Sequence, residues 1–568
     1  MLAKLKKPIL LSIFLTSTII FPWLVMGQLG DVFAGPRSRL AAFVLLASGG
    51  AVILKLAFPH RSWGELACLA ALVDGVVHQI ATFLPEISSY PLSLGWSETS
   101  RFYYASLFFS PQLYGFSVPP SILHPTRYLM QAVPFIFPEA PLWLHRLWQV
   151  ILWLVTTSAA VGILARRILR PQTPIRRWLF AAFAFLFLFQ GPVYYHLLVM
   201  VIVVLWGVDI HRPWRSLLVV IIASIWAGLS RVNWLPVPGL LATTLYLLEI
   251  PRPSPRNVQS VSDYLLPPAA WVLLGTSAGW LTQTAYKQLS GNPPEYFGAS
   301  FTSDLLWYRL LPNVTYPEGI LLSALLASLP LLVVVAIRLI LLRDGLRALG
   351  LAAILGVLFA GGIIVSVKIG GGSNLHNLDA FLVLLLVVGS HIFANSIGGN
   401  RLLRGILTFL VLLPPLVLTL TSGGRWNPPN VATAQSVIAT LRSEVESVAK
   451  QGGQILFIRE RQLLMFGDLP GVKLAPDYEV VFLMEMVMGN NRAYLDHFYD
   501  DLRNQRFALI VVDPQNTQHQ GRMRAFGEEN DVWADRVAIP LMCTYEPKLE
   551  LPDVNLVVLA PRPTINCP

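Results

Sequence analysis

At 568 residues, 54% hydrophobic and only 13% charged, with a mean hydropathy of +0.59, the chain is too apolar for a water-soluble enzyme, since soluble domains carry about a quarter charged residues. The net charge of +10 would suit nucleic acid, but the Lys and Arg residues fall in short clusters between hydrophobic runs, where they orient helices in a bilayer, and nucleic acid is excluded as a partner. Three cysteines, Cys68, Cys543 and Cys567, are too few and too scattered for a metal knuckle or a disulfide framework, although a Cys543–Cys567 bridge would suit a tail outside the cytoplasm.

The N-terminal "MLAKLKKPILLSIFLTSTIIFPWLVMG" has the basic start and apolar core of a signal peptide. No small-x-small cleavage site follows directly, and many apolar runs come later, so it reads as an uncleaved first helix. Runs suited to crossing a hydrocarbon core recur at 8–27, 40–59, 63–85, 142–164, 178–191, 193–209, 215–231, 235–250, 264–285, 319–342, 349–367, 378–396 and 402–421, about thirteen helices. With Lys4, Lys6 and Lys7 in the cytoplasm, alternate loops should be basic, and the clusters at His60–Arg61, Arg166–Arg177, Arg212–Arg215, Arg252–Arg256, Arg343–Arg347 and Arg401–Arg404 obey. The expected protein is therefore multi-pass, in the plasma membrane, with a cytoplasmic N-terminus.

The outer face then receives the long loop 85–141, "QGPVYYH" (Gln190–His196), "SRVNW" (Ser230–Trp234), the loop 286–318 and "KIGGGSNLHN" (Lys368–Asn377). A Gly/Pro-rich hinge, "TSGGRWNPPN" (Thr421–Asn430), divides a polytopic α-helical transmembrane domain, 1–424, from an extracytoplasmic domain, 425–568. Helical spacing over 431–450 and 491–504, alternating with the apolar runs 454–458, 506–513 and 555–561, predicts an α/β domain with a partly parallel sheet. No Gly-rich phosphate fingerprint follows these strands.

Polar residues of a catalytic kind gather on the same face. In "GWSETSRFYYASLFFSPQLYG" (Gly95–Gly115), Glu98 is a carboxylate just outside the membrane with Arg101 one helical turn on. Such a group can act as a general base. The competing reading pairs Glu98 with Arg101 on a solvated interfacial helix. "KIGGGSNLHN" offers Lys368, the run Gly370, Gly371 and Gly372, and the hydrogen-bonding side chains Asn374 and His376 at a helix junction, as a phosphate cradle would; a flexible, capped turn is the plainer alternative. Arg231 sits at another outer helix end, for phosphate contact or for snorkelling to headgroups. His196 could be a metal ligand or acid/base group, or an interfacial cap. Asp74 and His78, one turn apart in "VDGVVHQ", suit a proton relay or a structural hydrogen bond.

A first long outer loop with "WSETSRFYY", a late "GGGSNLHNLDAF" segment and an extracytoplasmic α/β tail together resemble the GT-C superfamily of integral membrane glycosyltransferases, related to the dolichyl-phosphate-mannose protein mannosyltransferases. The resemblance covers the membrane domain. It implies inverting transfer from a polyprenyl-phosphate sugar donor to a glycan, lipid or protein acceptor, with Glu98 as base. Arg101, Arg231, Lys368, Gly370, Gly371, Gly372, Asn374 and His376 would then hold the donor phosphate. Some members of the family use a divalent cation, for which His196 is the candidate ligand here. The chain departs from the family in having a single Glu98 where Asp, often an acidic pair, is usual, and in placing the acidic loop after the third helix instead of the first. A lipid-linked sugar flippase and a non-catalytic cell-envelope protein are the alternatives.

Overall fold

The computed structural model describes residues 2–169, 174–251, 258–341, 344–371, 375–396 and 401–565. Gly372, Asn374, Cys567 and parts of the basic loops expected in the cytoplasm lie outside the described residues. The chain opens with α1 (Leu2–Pro22), α2 (Pro36–Ala57) and α3 (Trp63–Ala81). The long loop that follows carries the short helices α4 (Glu98–Ser106), α5 (Ser110–Tyr114) and α6 (Pro125–Gln131). Then come α7 (Leu142–Ile168), α8 (Pro174–Gln190), α9 (Tyr195–Gly207), α10 (Pro213–Gly228), α11 (Val237–Glu249) and α12 (Val258–Leu289). After the one-turn α13 (Ala299–Thr302), α14 (Gly319–Leu341), α15 (Gly345–Ser366), α16 (Asp379–Ser396) and α17 (Arg401–Thr421) complete the bundle.

Each of the thirteen apolar runs read as a span is thus largely helical. Among the described residues, seven helices are long and apolar enough to cross a membrane, and α9, α10 and the end of α17 are apolar but shorter. Local chemistry sets several helix starts: the side chains of Ser62 and Asp344 accept from the backbone N–H of Glu65 and Arg347, at 3.2 and 3.3 Å. The segment Leu375–Ala394, apolar on every face, is 83% buried where α2 is 22% buried; it is the centre of the bundle, as an all-round hydrophobic helix must be. Small residues let α10 and α12 approach closely: a Cβ at Gly228 would collide with the Gly279 carbonyl.

The C-terminal domain comprises α18 (Val431–Lys450), β1 (Ile455–Phe457), α19 (Gln462–Met465), α20 (Val480–Met488), α21 (Arg492–Arg503), β2 (Leu509–Val512), α22 (Gly527–Trp533), α23 (Ile539–Thr544), β3 (Tyr545–Leu551) and β4 (Leu556–Pro561). Its sheet runs β1-β2-β4-β3, parallel between β1 and β2 and antiparallel elsewhere. Strand alternation divides the core: Leu456, Ile510 and Leu559 pack with α20, α21 and α23 on one face, and Phe457, Val511 and Val558 with α18 on the other. Cys543 is disulfide-bonded and Cys68 is free.

This domain is seated on the loops at one end of the bundle. Buried Glu479 accepts from the Ser100 hydroxyl and, at 2.9 Å, from that of Tyr104, both on α4, while capping the start of α20. Farther along, Arg309 of the 286–318 loop, 1% exposed, forms a two-pronged pair with Glu529 at 2.7 and 2.6 Å.

Candidate functional site

The segments grouped by alternation of basic loops meet beneath this domain. Thr126 and Ser230 share a hydroxyl hydrogen bond of 2.6 Å, Tyr286 donates to the Ser121 carbonyl at 2.6 Å, and His376 Nδ1 lies 3.3 Å from the Pro192 carbonyl oxygen.

Glu98 begins α4 and is 4% exposed. Arg146 of α7 donates to it from Nε (2.9 Å) and Nη2 (3.0 Å), and the Leu94 N–H adds a third bond of 2.6 Å. Arg146 spends its other donors on the carbonyls of Ser88, Tyr90 and Leu92. This arrangement corrects both sequence expectations. Glu98 is not the partner of Arg101, and its carboxylate is buried and spent on Arg146, because an arginine buried in α7 needs a counter-charge. Arg146 lies 48 residues from Glu98, so no local spacing could pair them; the signal in the sequence is an Arg early in an apolar span, where an unpartnered one is costly. Glu86, just beyond α3, is a surface carboxylate set among the loops, where desolvation raises its proton affinity and Arg101 opposes that.

The glycine turn is also used differently from expectation. The Gly370 N–H donates to Glu529 at 3.0 Å, and that of Gly371 to the Lys368 carbonyl at 3.0 Å. A carboxylate of the C-terminal domain thus already takes the anion's place at Gly370, whose φ of +72° suits glycine. Lys368 stands over the Phe301 ring at 5.7 Å, near Glu485, and burial lowers the proton affinity of its amine.

Three expected residues do come together: Arg231, His376 and His196. Arg231 follows the end of α10 and donates to Asp379 at 3.0 Å and to Asn377 at 2.5 Å; Trp234 Nε1 donates to the other Asp379 oxygen at 2.9 Å. His376 packs on the Tyr194 ring with centroids 4.6 Å apart, and His196 lies 5.6 Å from the same ring. Residues that sequence reasoning passed over complete the group. The Arg127 guanidinium sits 4.4 Å from the centroid of Tyr194, and His124 lies 6.0 Å from His196 with Nδ1 2.7 Å from the Ser230 carbonyl oxygen. Both belong to "HPTRY" (His124–Tyr128), a proline-punctuated stretch whose clustered His, Arg and Tyr were the available signal.

The electrostatics of this group are one-sided. Asp379 offsets Arg231, whereas Arg101 and Arg127 form no ion pair among the described residues, and the Nε of each is buried without a hydrogen-bond partner. Both ring nitrogens of His196 are likewise buried and unpartnered among the described residues, while the Tyr195 hydroxyl is turned towards the Arg127 guanidinium. Burial, reinforced by Arg231, pushes the His124 imidazole down to about 3, so it is neutral at physiological pH. A cluster of guanidiniums and neutral imidazoles of this kind has the chemistry to receive an anion. Among the described residues no three His, Cys, Asp or Glu side chains converge as metal ligands, and the groups acting electrostatically on His196 are His124, Arg127, Arg231 and His376. Compared with known proteins, the chain matches no protein-family model and no curated sequence.

Proposed function

We propose that the protein is a membrane glycosyltransferase that moves a sugar from a polyprenyl-phosphate donor to an acceptor hydroxyl at the capped end of the bundle, with inversion. The observation that supports this reading is the Arg127 guanidinium, which forms no ion pair among the described residues and lies within electrostatic reach of Arg231's neighbour His376, with Arg101 acting on the same Tyr195 that Arg127 faces. Retaining such charges half-buried at a helix-bundle edge is costly unless an anion completes them. A phosphate on a lipid chain fits the place, since the chain can lie along the apolar helices while its headgroup enters from the side.

In the proposed reaction the acceptor oxygen forms a bond to the anomeric carbon as the bond from that carbon to the phosphate oxygen breaks, and the phosphate leaves with the electron pair. Arg127, Arg101 and Arg231 stabilise the charge growing on it. The acceptor proton passes to a carboxylate with an open lone pair. Glu86 meets that requirement, at the surface with its proton affinity raised by desolvation, whereas Glu98 is committed to Arg146. The capped end lies outside the cytoplasm in this reading, which agrees with the basic loops at the other end and with the disulfide at Cys543.

The test is binding and turnover of a polyprenyl-phosphate sugar by the protein in nanodiscs. Arg127→Ala should weaken binding of the donor about tenfold or more, as loss of a charge-assisted contact does, without changing retention of phosphatidylglycerol. Glu86→Gln should leave binding intact and lower turnover roughly a hundredfold. Donor binding indifferent to both Arg127→Ala and Arg231→Ala sinks the proposal. Binding without release of lipid phosphate would favour a flippase.

A further inference from the structure

A second polar group lies within the bundle, away from the anion site and unused by the proposed chemistry. Asp74 and His78 lie one turn apart on α3 and are 1% and 0% exposed. The Thr18 hydroxyl of α1 donates to Asp74 Oδ1 at 2.6 Å, while Asp74 Oδ2 and both ring nitrogens of His78 are buried without a hydrogen-bond partner among the described residues. Around them α1 adds the Phe21 ring, 6.2 Å from His78, and α8 and α17 present Leu186 and Leu416 beside Gly75. From α2, Arg39 acts electrostatically on His78, but its own guanidinium is turned to the carbonyls of Thr421, Ser422 and Gly423.

An ionised Asp74 would be a carboxylate sealed in apolar surroundings with one hydroxyl for company and no cation in contact, an arrangement costing several kcal/mol. A proton on Oδ2 removes that charge and leaves Oδ1 as the acceptor for Thr18. His78 is no competitor for this proton, because a second positive charge beside Arg39 is unfavourable there. We infer that Thr18 and Asp74 form a proton-binding site inside the membrane domain, in which Asp74 holds the proton on Oδ2 and the His78 imidazole, one turn nearer the capped end, stays neutral beside it.

Infrared difference spectroscopy of the whole protein in nanodiscs tests this. At neutral pH, the spectrum of wild type minus Asp74→Asn should contain the C=O stretch of a protonated carboxylic acid. Thr18→Val should move that band to higher frequency by removing its hydrogen bond, and His78→Gln should leave it in place while altering the pH at which it vanishes. Asp74→Asn keeps the shape of the site and should melt like wild type, because it replaces one neutral group by another. The inference falls if no protonated-acid band is lost in Asp74→Asn, if carboxylate bands are lost instead, or if sodium rather than protons changes the spectrum.

Discussion

Glu98 gives both carboxylate oxygens to Arg146, so Glu98→Gln removes one member of a buried pair and strands the other. Breaking such pairs costs about 3–5 kcal/mol, and a thermal-shift measurement should show a loss on that scale for Glu98→Gln, with strong coupling to Arg146→Gln in a double-mutant cycle. At Glu86, by contrast, the isosteric change should leave the melting temperature untouched and appear in turnover. His124 makes a pH-dependent contribution. Its imidazole is held near 3 in the folded chain against about 6.5 when unfolded. The native state therefore stays neutral while the unfolded chain takes up a proton: the stability is fully present above pH 6.5 and is lost as pH falls towards 3, by up to about 1.4 kcal/mol per unit. Melting curves at pH 7.5 and 5.5 should separate less in His124→Asn than in wild type.

At the scale of elements, the close crossing of α10 and α12 positions Arg231 of the proposed anion site. Arg231 lies just past the end of α10, and Gly228 at that end meets the Gly279 carbonyl of α12 with no room for a side chain. Gly228→Val should push the helix end outward and weaken donor binding through Arg231, an effect read as a raised Kd with the far end of the bundle unchanged in protease sensitivity. The helices were legible in the sequence because their signal, a long apolar run, is local. So were β1, β2 and β4, which are continuous apolar segments bounded by polar ones. β3, "YEPKLEL" (Tyr545–Leu551), was not: it is an edge strand, half exposed and carrying Pro547 and charges, which strips it of an apolar run. The site was legible in part for the same reason. Arg231, His196 and His376 stood out at helix ends, and alternation of basic loops placed them together. The partners of Glu98 and Gly370, Arg146 and Glu529, come from distant sequence, and only folding brings them near.

For the whole molecule, the side of the membrane faced by the capped end is open to direct measurement. Single cysteines at Asn430 and Asn516 should react with an impermeant maleimide in intact cells, and cysteines at His60 and Arg215 should not; the reverse pattern would move the proposed chemistry into the cytoplasm. The seating of the C-terminal domain on the long loop through Glu479 and on the later loops through Glu529 also has a consequence for biosynthesis. Residues 85–141 leave the ribosome hundreds of residues before Glu479 and Glu529 exist, so a nascent chain can insert its helices while those loops still hang loose. Completion of the site is thus deferred to the last stage of synthesis. A chain ending at residue 424 should integrate normally yet be cut by external protease within 85–141, where the finished protein resists, and this would make the terminal domain a built-in check that only full-length copies become competent.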